Sequence, residues 1–257
     1  MGRQQITTLA RFTLLEAART RLMWLFVIAL ALVFAAAYFV HQLAITESTR
    51  MLIAFSAAAT RLVAVFVLSL YILTSLVREF NDKGLELTLS FDLRRADYIL
   101  GRFAGFIAVA LAMALLAGAP QMLLAPFAAA LQWTCSLALE LVIVAALSIF
   151  CILTFTQLMP AASFIAGFYL LARAMSAVRL ISANPILGAD SPSNQAMAKL
   201  VDALSLVLPT LDRFTESAWL VDGAAGWQAL TNCALQTLIY TALLIAAAMF
   251  DFYRRNL

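Results

Sequence analysis

Three ionisable side chains interrupt the long apolar stretches of this sequence. Arg61, Glu140 and Arg173 each lie well inside a run of hydrophobic residues. A charge near the middle of a membrane helix costs about 2.5–3.5 kcal/mol on insertion scales, so such side chains usually face protein or water rather than lipid. Two interpretations are open. The three residues line a polar path through the membrane, or an Arg/Glu pair holds helices together.

Two amide side chains share one side of the last apolar run. Asn232 and Gln236 are four residues apart, so they lie on the same face of a helix. Amides that face another helix inside a membrane form interhelical hydrogen bonds. The spacing therefore predicts packing contacts at this face, with a polar pathway as the alternative.

Residues suited to catalysis or metal binding are sparse. The chain has one histidine, His41, and three cysteines that form no CxxC or Cys/His pattern. A His-based metal site or catalytic triad is therefore not expected. No nucleotide-binding GxxxxGKS or GxxxxGKT loop occurs, so any nucleotide would bind to another chain. We predict no catalytic residue, no metal, no cofactor bound by this chain and no nucleic-acid partner.

Charge is concentrated between the second and third apolar runs. Residues 78–102 carry five basic and five acidic side chains, a density that cannot lie in hydrocarbon, so this stretch is predicted to face water. Within it, Leu85, Leu89 and Leu93 recur at the spacing of an amphipathic helix over residues 79–93. A water-facing helix with an apolar side, between two membrane helices, is typical of a docking surface for another protein.

The composition is that of an integral membrane protein. Hydrophobic residues make up 64% of the 257 residues and charged residues 12%, with a mean hydropathy of +0.95. Soluble domains contain roughly 45–50% apolar residues. Six apolar runs are long enough for a helix to cross a bilayer, and they lie at about 22–41, 52–77, 103–126, 132–157, 161–180 and 228–250. The predicted fold class is therefore all-α, with a single membrane domain over residues 1–257.

The segment before the first run, residues 4–21, has its own helical pattern. Apolar residues recur on one side and basic residues lie elsewhere, namely Ile6, Leu9, Phe12 and Leu15 against Arg11, Arg19 and Arg21. This pattern predicts a helix in the membrane interface, with its basic side chains toward lipid headgroups. A solvated tail is the alternative.

The connection at 181–227 is the one long segment on the opposite side. It contains an apolar piece at 196–208 that is too short and too polar to span a membrane. We therefore predict an amphipathic or re-entrant helix there. Basic residues set the orientation, because the side that carries both termini and the 78–102 stretch receives eleven of the 17 Lys and Arg residues. The positive-inside rule places that side in the cytoplasm.

These features together resemble the permease subunits of the ABC-2 type exporter superfamily. Four short motifs in and around the charged stretch carry the resemblance. They are a charged pair, a glycine with a leucine-rich turn, a basic pair, and a glycine plus base before the third run. In this sequence they read, in that order, Arg78-Glu79, Gly84-Leu85-Glu86-Leu87, Arg94-Arg95 and Tyr98-Ile99-Leu100-Gly101-Arg102. The segment from Leu15 to Arg21 is similar to the family's elbow helix. Leu208-Pro209 with Phe214 is similar to its outer loop, in a form like that of permeases linked to copper-enzyme maturation. Phe91-Asp92 stands where the family usually has a proline.

The resemblance implies an elbow helix, six spans and a coupling helix at 79–93. It further implies two such subunits side by side, as two copies or as paralogues, in the lipid of a bacterial inner membrane. Each would dock on a cytoplasmic ATP-binding cassette ATPase that binds ATP and Mg, so this chain is not an enzyme by itself. The implied docking surface comprises Glu79, Phe80, Gly84, Leu85, Glu86, Leu89, Phe91, Arg94 and Arg95. The alternative is an ATPase-linked membrane subunit that transmits force for signalling, assembly or protein maturation without moving a solute.

Overall fold

The computed structural model of the protein describes residues 2–43, 48–81, 95–183, 199–204, 208–223 and 226–254. Every regular element in these ranges is helical. The α-helices, numbered in chain order, are α1 Gly2–Arg19, α2 Leu22–Leu43, α3 Ser48–Asn81, α4 Arg95–Leu124, α5 Phe127–Phe155, α6 Leu158–Ala183, α7 Ser217–Asp222 and α8 Trp227–Arg254. In addition, a 3-10 turn covers Leu211–Arg213, and residues 199–204 are helical.

Six of these helices, α2 to α6 and α8, are long and apolar enough to cross a membrane. This number confirms the six predicted spans and indicates a multi-pass helical membrane protein. Most of the helices extend beyond the predicted apolar runs at one or both ends. Hydropathy marks only the part of a helix that lies in hydrocarbon, whereas the helical hydrogen bonding continues into polar flanking residues.

The largest difference from the sequence prediction lies in the charged stretch 78–102. Helix α3 continues to Asn81 and α4 begins at Arg95, so both ends of the stretch are helical and continue two of the predicted spans. Three of their charges are paired across helices, Arg102 with Glu79 and Arg78 with Glu16 of α1. The predicted helix over 79–93 lies outside the described residues, apart from its first three positions at the end of α3.

Helix α5 is the centre of the bundle. Its side chains are buried along most of its length, and it contacts α3, α4, α6 and α8. Helix α2 lies at the edge, where it buries only Phe26, Leu30 and Ala37. It leaves large apolar side chains such as Trp24 and Leu32 on the surface, as a lipid-facing helix does.

Contacts distinguish the two ends of the bundle. At one end, the ring of Tyr98 at the start of α4 stacks on Phe252 at the end of α8. Helix α1 packs along α4 at the same end, which we call the α1 face. At the other end, Arg50 at the start of α3 forms an ion pair with Asp222 of α7. We call that end the α7 face.

The long connection after α6 differs in detail from its prediction. Helix α6 continues to Ala183, and 199–204 are the only helical residues described within the predicted 196–208 helix. The part that enters the bundle is the irregular segment that follows, residues 208–216, which we call the inserted segment. Its Leu208, Leu211 and Phe214 side chains are buried in the hydrophobic core.

Candidate functional site

Glu140 of α5 is the centre of a buried polar cluster. The residue is fully buried. Its Oε1 atom accepts a hydrogen bond from the Tyr169 hydroxyl at 2.8 Å, and its Oε2 atom accepts one from the Thr215 hydroxyl at 2.7 Å. Arg173 of α6 completes the ion pair, with Nη1 3.6 Å from Oε1. A buried carboxylate is stable only when its oxygens are paired in this way.

Two arginines in this cluster bind the backbone of the inserted segment. Nη1 of Arg173 donates hydrogen bonds to the carbonyl oxygens of Leu211, at 2.6 Å, and Phe214, at 2.9 Å. Nη1 of Arg61, on α3, donates to the carbonyl oxygen of Thr215 at 3.0 Å. The guanidinium groups therefore bind three carbonyls of the inserted segment, of which the Leu211 carbonyl also accepts the Phe214 N–H at 3.1 Å.

Thr215 is held in an unusual backbone conformation. Its φ of 47° lies in the left-handed region, which costs a non-glycine residue roughly 1–2 kcal/mol. The conformation directs its N–H to the hydroxyl of Ser136, at 3.0 Å, and its own hydroxyl to Glu140. Strain of this kind persists only where surrounding bonds fix it. The cluster of Arg61, Ser136, Glu140, Tyr169, Arg173 and Thr215, which we call the Glu140 cluster, supplies those bonds.

The Glu140 cluster lies deep in the bundle. Arg61 and Glu140 each follow the start of their helix by about thirteen residues, which is about 20 Å along the axis. Arg173 precedes the end of α6 by about ten residues, or about 15 Å. Because a hydrocarbon core is about 30 Å thick, the inserted segment brings irregular backbone toward the middle of the spans. Such backbone is tolerated at that depth only where protein satisfies its polar groups.

The structure therefore brings together the three ionisable residues singled out in the sequence. Glu140 pairs with Arg173, whereas Arg61 binds the inserted segment. Sequence reasoning missed Ser136 and Tyr169, although each lies four residues before a predicted member of the cluster and so shares its helix face. It also missed Thr215, for which no local pattern existed.

The predicted amides on α8 lie beside the inserted segment. Gln236 accepts a hydrogen bond from the Thr210 hydroxyl at 3.0 Å. Asn232 and Gln236 both line a cavity of about 390 Å³ that Arg213 and Glu216 also border. Gln236 thus contacts the inserted segment, whereas the predicted partner was another helix, and Asn232 contributes to the wall of a polar cavity.

A second polar cluster lies at the α1 face. Glu16 of α1 accepts hydrogen bonds from Ser75, at 3.0 Å, from Arg78, at 2.5 Å, and from Arg102, at 3.1 Å. Arg102 of α4 also forms an ion pair with Glu79 at the end of α3. We call Thr13, Glu16, Ser75, Arg78, Glu79 and Arg102 the Arg102 cluster. It joins three helices that meet beside the 82–94 connection.

Arg102 is the most buried of the charged residues in this cluster. Its side chain is 5% exposed, and the side chains of Glu16 and Glu79 are 13% and 14% exposed. Nη1 of Arg102 also donates to the Thr13 hydroxyl at 3.0 Å. Charges as buried as these depend on one another, since removal of one partner from a buried pair costs about 3–5 kcal/mol.

Two glycines let α1 approach α4 closely enough for these contacts. A Cβ atom at Gly101 would lie 2.8 Å from Leu9, and one at Gly105 would lie 2.5 Å from Thr13. The glycines are four residues apart, as are the α1 residues that they face. Small residues at this spacing allow helix backbones to pack closely in membrane proteins.

The predicted docking surface is described only at its two edges. Glu79 and Phe80 belong to α3, where Glu79 pairs with Arg102 and Phe80 packs against the core. Arg95 is the first residue of α4. The other predicted docking residues, Gly84, Leu85, Glu86, Leu89, Phe91 and Arg94, lie outside the described residues.

Among the described residues, no group of three or more His, Cys, Asp or Glu side chains is placed to hold a metal ion. Cys135, Cys151 and Cys233 are free thiols. No protein-family model matches the chain, and no curated protein matches it. Its function is therefore inferred from the helix architecture, the two polar clusters and the motifs of the sequence.

Proposed function

We propose that this chain is the membrane-spanning permease subunit of an ATP-binding cassette transporter of the ABC-2 type, an exporter driven by a separate ATPase. The observation that carries this proposal is the ion pairing of Arg102 with both Glu16 and Glu79. These pairs connect α1, α3 and α4 at the two ends of the 82–94 connection, where the sequence motifs place the ATPase-docking helix. A subunit moved by a partner needs such a connection between its docking segment and its spans.

The Arg102 cluster makes the three helices move as one body. A force applied to the 82–94 connection acts on the end of α3 and the start of α4. Independent movement of either helix would separate buried charges, at a cost of about 3–5 kcal/mol for each broken pair. Closure of the ATPase would therefore tilt α3 and α4 together and would take α1 with them.

The Glu140 cluster extends this movement toward the α7 face. Arg61 lies on α3 about seventeen residues before Arg78, or about 26 Å along the helix. Because Arg61 binds the Thr215 carbonyl, tilting of α3 moves the inserted segment. Glu140 and Arg173 then transmit that displacement to α5 and α6. In this proposal the inserted segment closes the pathway on the α7 face and shifts when α3 tilts.

The remaining parts of the proposal concern partners and location. ATP and Mg bind to the ATPase, and this chain binds no cofactor. A second permease copy or a paralogue packs beside it in a bacterial inner membrane. The α1 face, with both termini, lies in the cytoplasm, in accord with the excess of basic residues on that side.

Replacement of Leu89 by Asp tests the docking role. The complex is purified in mild detergent from native membranes that express either wild-type or variant protein, and the co-purifying chains are identified. We expect Leu89→Asp to lose the ATPase, because a charge on the apolar face of the docking helix would have to be buried. Ser90→Asp, which adds the same charge next to that face, is the matched control and should retain it. Full ATPase recovery with Leu89→Asp would refute the docking site.

A further inference from the structure

A cavity of about 400 Å³ opens on the α1 face between the start of α2 and the C-terminal half of α3. Leu25 of α2 and Val67 and Leu70 of α3 form an apolar wall, while Thr20, Thr74 and Arg78 border the polar part. From Val67 to Arg78 the wall extends about eleven residues, which is about 16 Å. The cavity therefore changes from apolar to polar along the direction in which a lipid lies in a leaflet.

The polar end of the cavity has one donor-rich side chain. Arg78 is 57% exposed and gives one guanidinium nitrogen to Glu16. A guanidinium has five N–H donors in a planar fork, a geometry that matches the oxygens of a phosphate. Arg78 can therefore bind a phosphate from the cavity side while it keeps its contact with Glu16.

The hydroxyl groups that line the cavity with Arg78 can accept hydrogen bonds, whereas Arg78 only donates them. Thr20 donates its hydrogen to the carbonyl oxygen of Ala17 at 2.9 Å, and Thr74 donates to that of Leu70 at 2.8 Å. Each hydroxyl oxygen keeps lone pairs that can accept a hydrogen bond. Such oxygens suit a headgroup that carries its own hydroxyl donors beside the phosphate.

The charge around the opening favours an anion. Arg19 and Arg21 are exposed on either side of Thr20, and the carboxylate of Glu16 is already shared with Arg102. Basic pockets between membrane helices on the cytoplasmic side bind anionic lipid headgroups. Apolar walls below a cationic rim match an acyl chain attached to such a headgroup.

We propose that this cavity binds one anionic glycerophospholipid, with its phosphate at Arg78 and an acyl chain along Leu25, Val67 and Leu70. The headgroup hydroxyls of a phosphatidylglycerol would donate to Thr20 and Thr74. Because the lipid contacts both α2 and α3, it joins the edge helix of the bundle to the helix that carries Arg61 and Arg78. This site does not depend on the proposed ATPase partner.

Native mass spectrometry of the full-length protein in detergent tests the site. The protein is titrated with dioleoylphosphatidylglycerol or dioleoylphosphatidylcholine, which share acyl chains and differ in headgroup. We expect tighter binding of the first lipid, and we expect Arg78→Gln to weaken it about tenfold because a charge-assisted hydrogen bond is lost. Arg11→Gln, which removes an exposed charge nine residues before Thr20 and outside the cavity lining, should weaken it much less. Equal binding of the two lipids, or equal effects of the two variants, would overturn the proposal.

Val67→Trp provides an independent variant, because it fills the apolar end and leaves the contact between Arg78 and Glu16 intact. Phosphatidylglycerol binding should fall with it, in protein that elutes as the wild type does in gel filtration. Inorganic phosphate carries the same anion without acyl chains. If phosphate binds in an Arg78-dependent way while Val67→Trp leaves lipid binding unchanged, the site takes a free anion and the lipid proposal is wrong.

Discussion

Arg102 and Glu79, which lie 23 positions apart in the chain, form an ion pair across the 82–94 connection. Arg102 binds Glu16 of α1 with another guanidinium nitrogen. One buried side chain thus joins the end of α3, the start of α4 and the N-terminal helix. The pair fixes the distance between the two ends of the segment on which a partner would act.

Replacement of Arg102 by Met should destabilise the protein by about 3–5 kcal/mol, because Glu16 and Glu79 would remain buried without their shared partner. Unfolding in detergent, followed by circular dichroism, measures the change. Arg50→Met is the control, since Arg50 and Asp222 pair with side chains 54% and 60% exposed. An exposed pair contributes less than about 1 kcal/mol. Similar losses for the two variants would show that the Arg102 cluster has no structural role.

Gly105 and Gly167 should respond in opposite directions to replacement by Ala. A Cβ at Gly105 would lie 2.5 Å from Thr13, whereas a Cβ at Gly167 would meet nothing within 4 Å. We expect Gly105→Ala to lose about 1–3 kcal/mol through overpacking between α1 and α4. Gly167→Ala should gain about 0.5–1 kcal/mol through higher helix propensity. Stabilisation by both variants, measured by unfolding in detergent, would contradict the close contact of α1 with α4.

Replacement of Glu140 by Ala should loosen the inserted segment, because Arg173 would lose its counter-ion and Thr215 its acceptor. The Cys233 thiol reports on this loosening, since it is 3% exposed and contacts the Arg213 carbonyl oxygen at 3.7 Å. In a Cys135→Ala background, we expect Glu140→Ala to raise the rate of maleimide labelling at Cys233. Asp222→Asn, which alters a carboxylate of an exposed pair, should leave the rate unchanged. If Glu140→Ala also leaves it unchanged, the cluster does not secure the inserted segment.

At Thr215, a glycine should be tolerated better than an alanine. Both variants lose the hydroxyl that binds Glu140, but only glycine adopts a φ of 47° without strain. We expect Thr215→Gly to be more stable than Thr215→Ala by about 1 kcal/mol. At Ser176, an exposed position within α6, the order should be reversed because glycine weakens a helix. The same order at both positions would argue against the left-handed conformation of Thr215.

Local properties of the sequence predicted the number of membrane helices and the polar residues inside them. Arg61, Glu140 and Arg173 stood out because charges are rare in apolar runs, and the structure places them together. The inserted segment could not be predicted in the same way. Its position depends on contacts between Thr215 and three helices distant in sequence, and no local pattern encodes them.

The charged stretch 78–102 shows a second limit of sequence reasoning. Charge density alone favoured a water-facing connection, yet Arg102 is 4% exposed. Its burial depends on Glu16, which lies 86 positions away in the chain. A charge with a distant partner looks the same in sequence as a charge in water. The pairing therefore became visible only in the packed helices.

Purification of the wild-type protein from its native membranes in mild detergent, with identification of the associated chains and an assay of ATP hydrolysis, tests the central claim most directly. We predict that a separate ATP-binding cassette ATPase co-purifies in constant ratio and that the complex hydrolyses ATP. Recovery of this chain alone in several mild detergents, without ATP hydrolysis, would contradict the assignment as a permease driven by a partner ATPase.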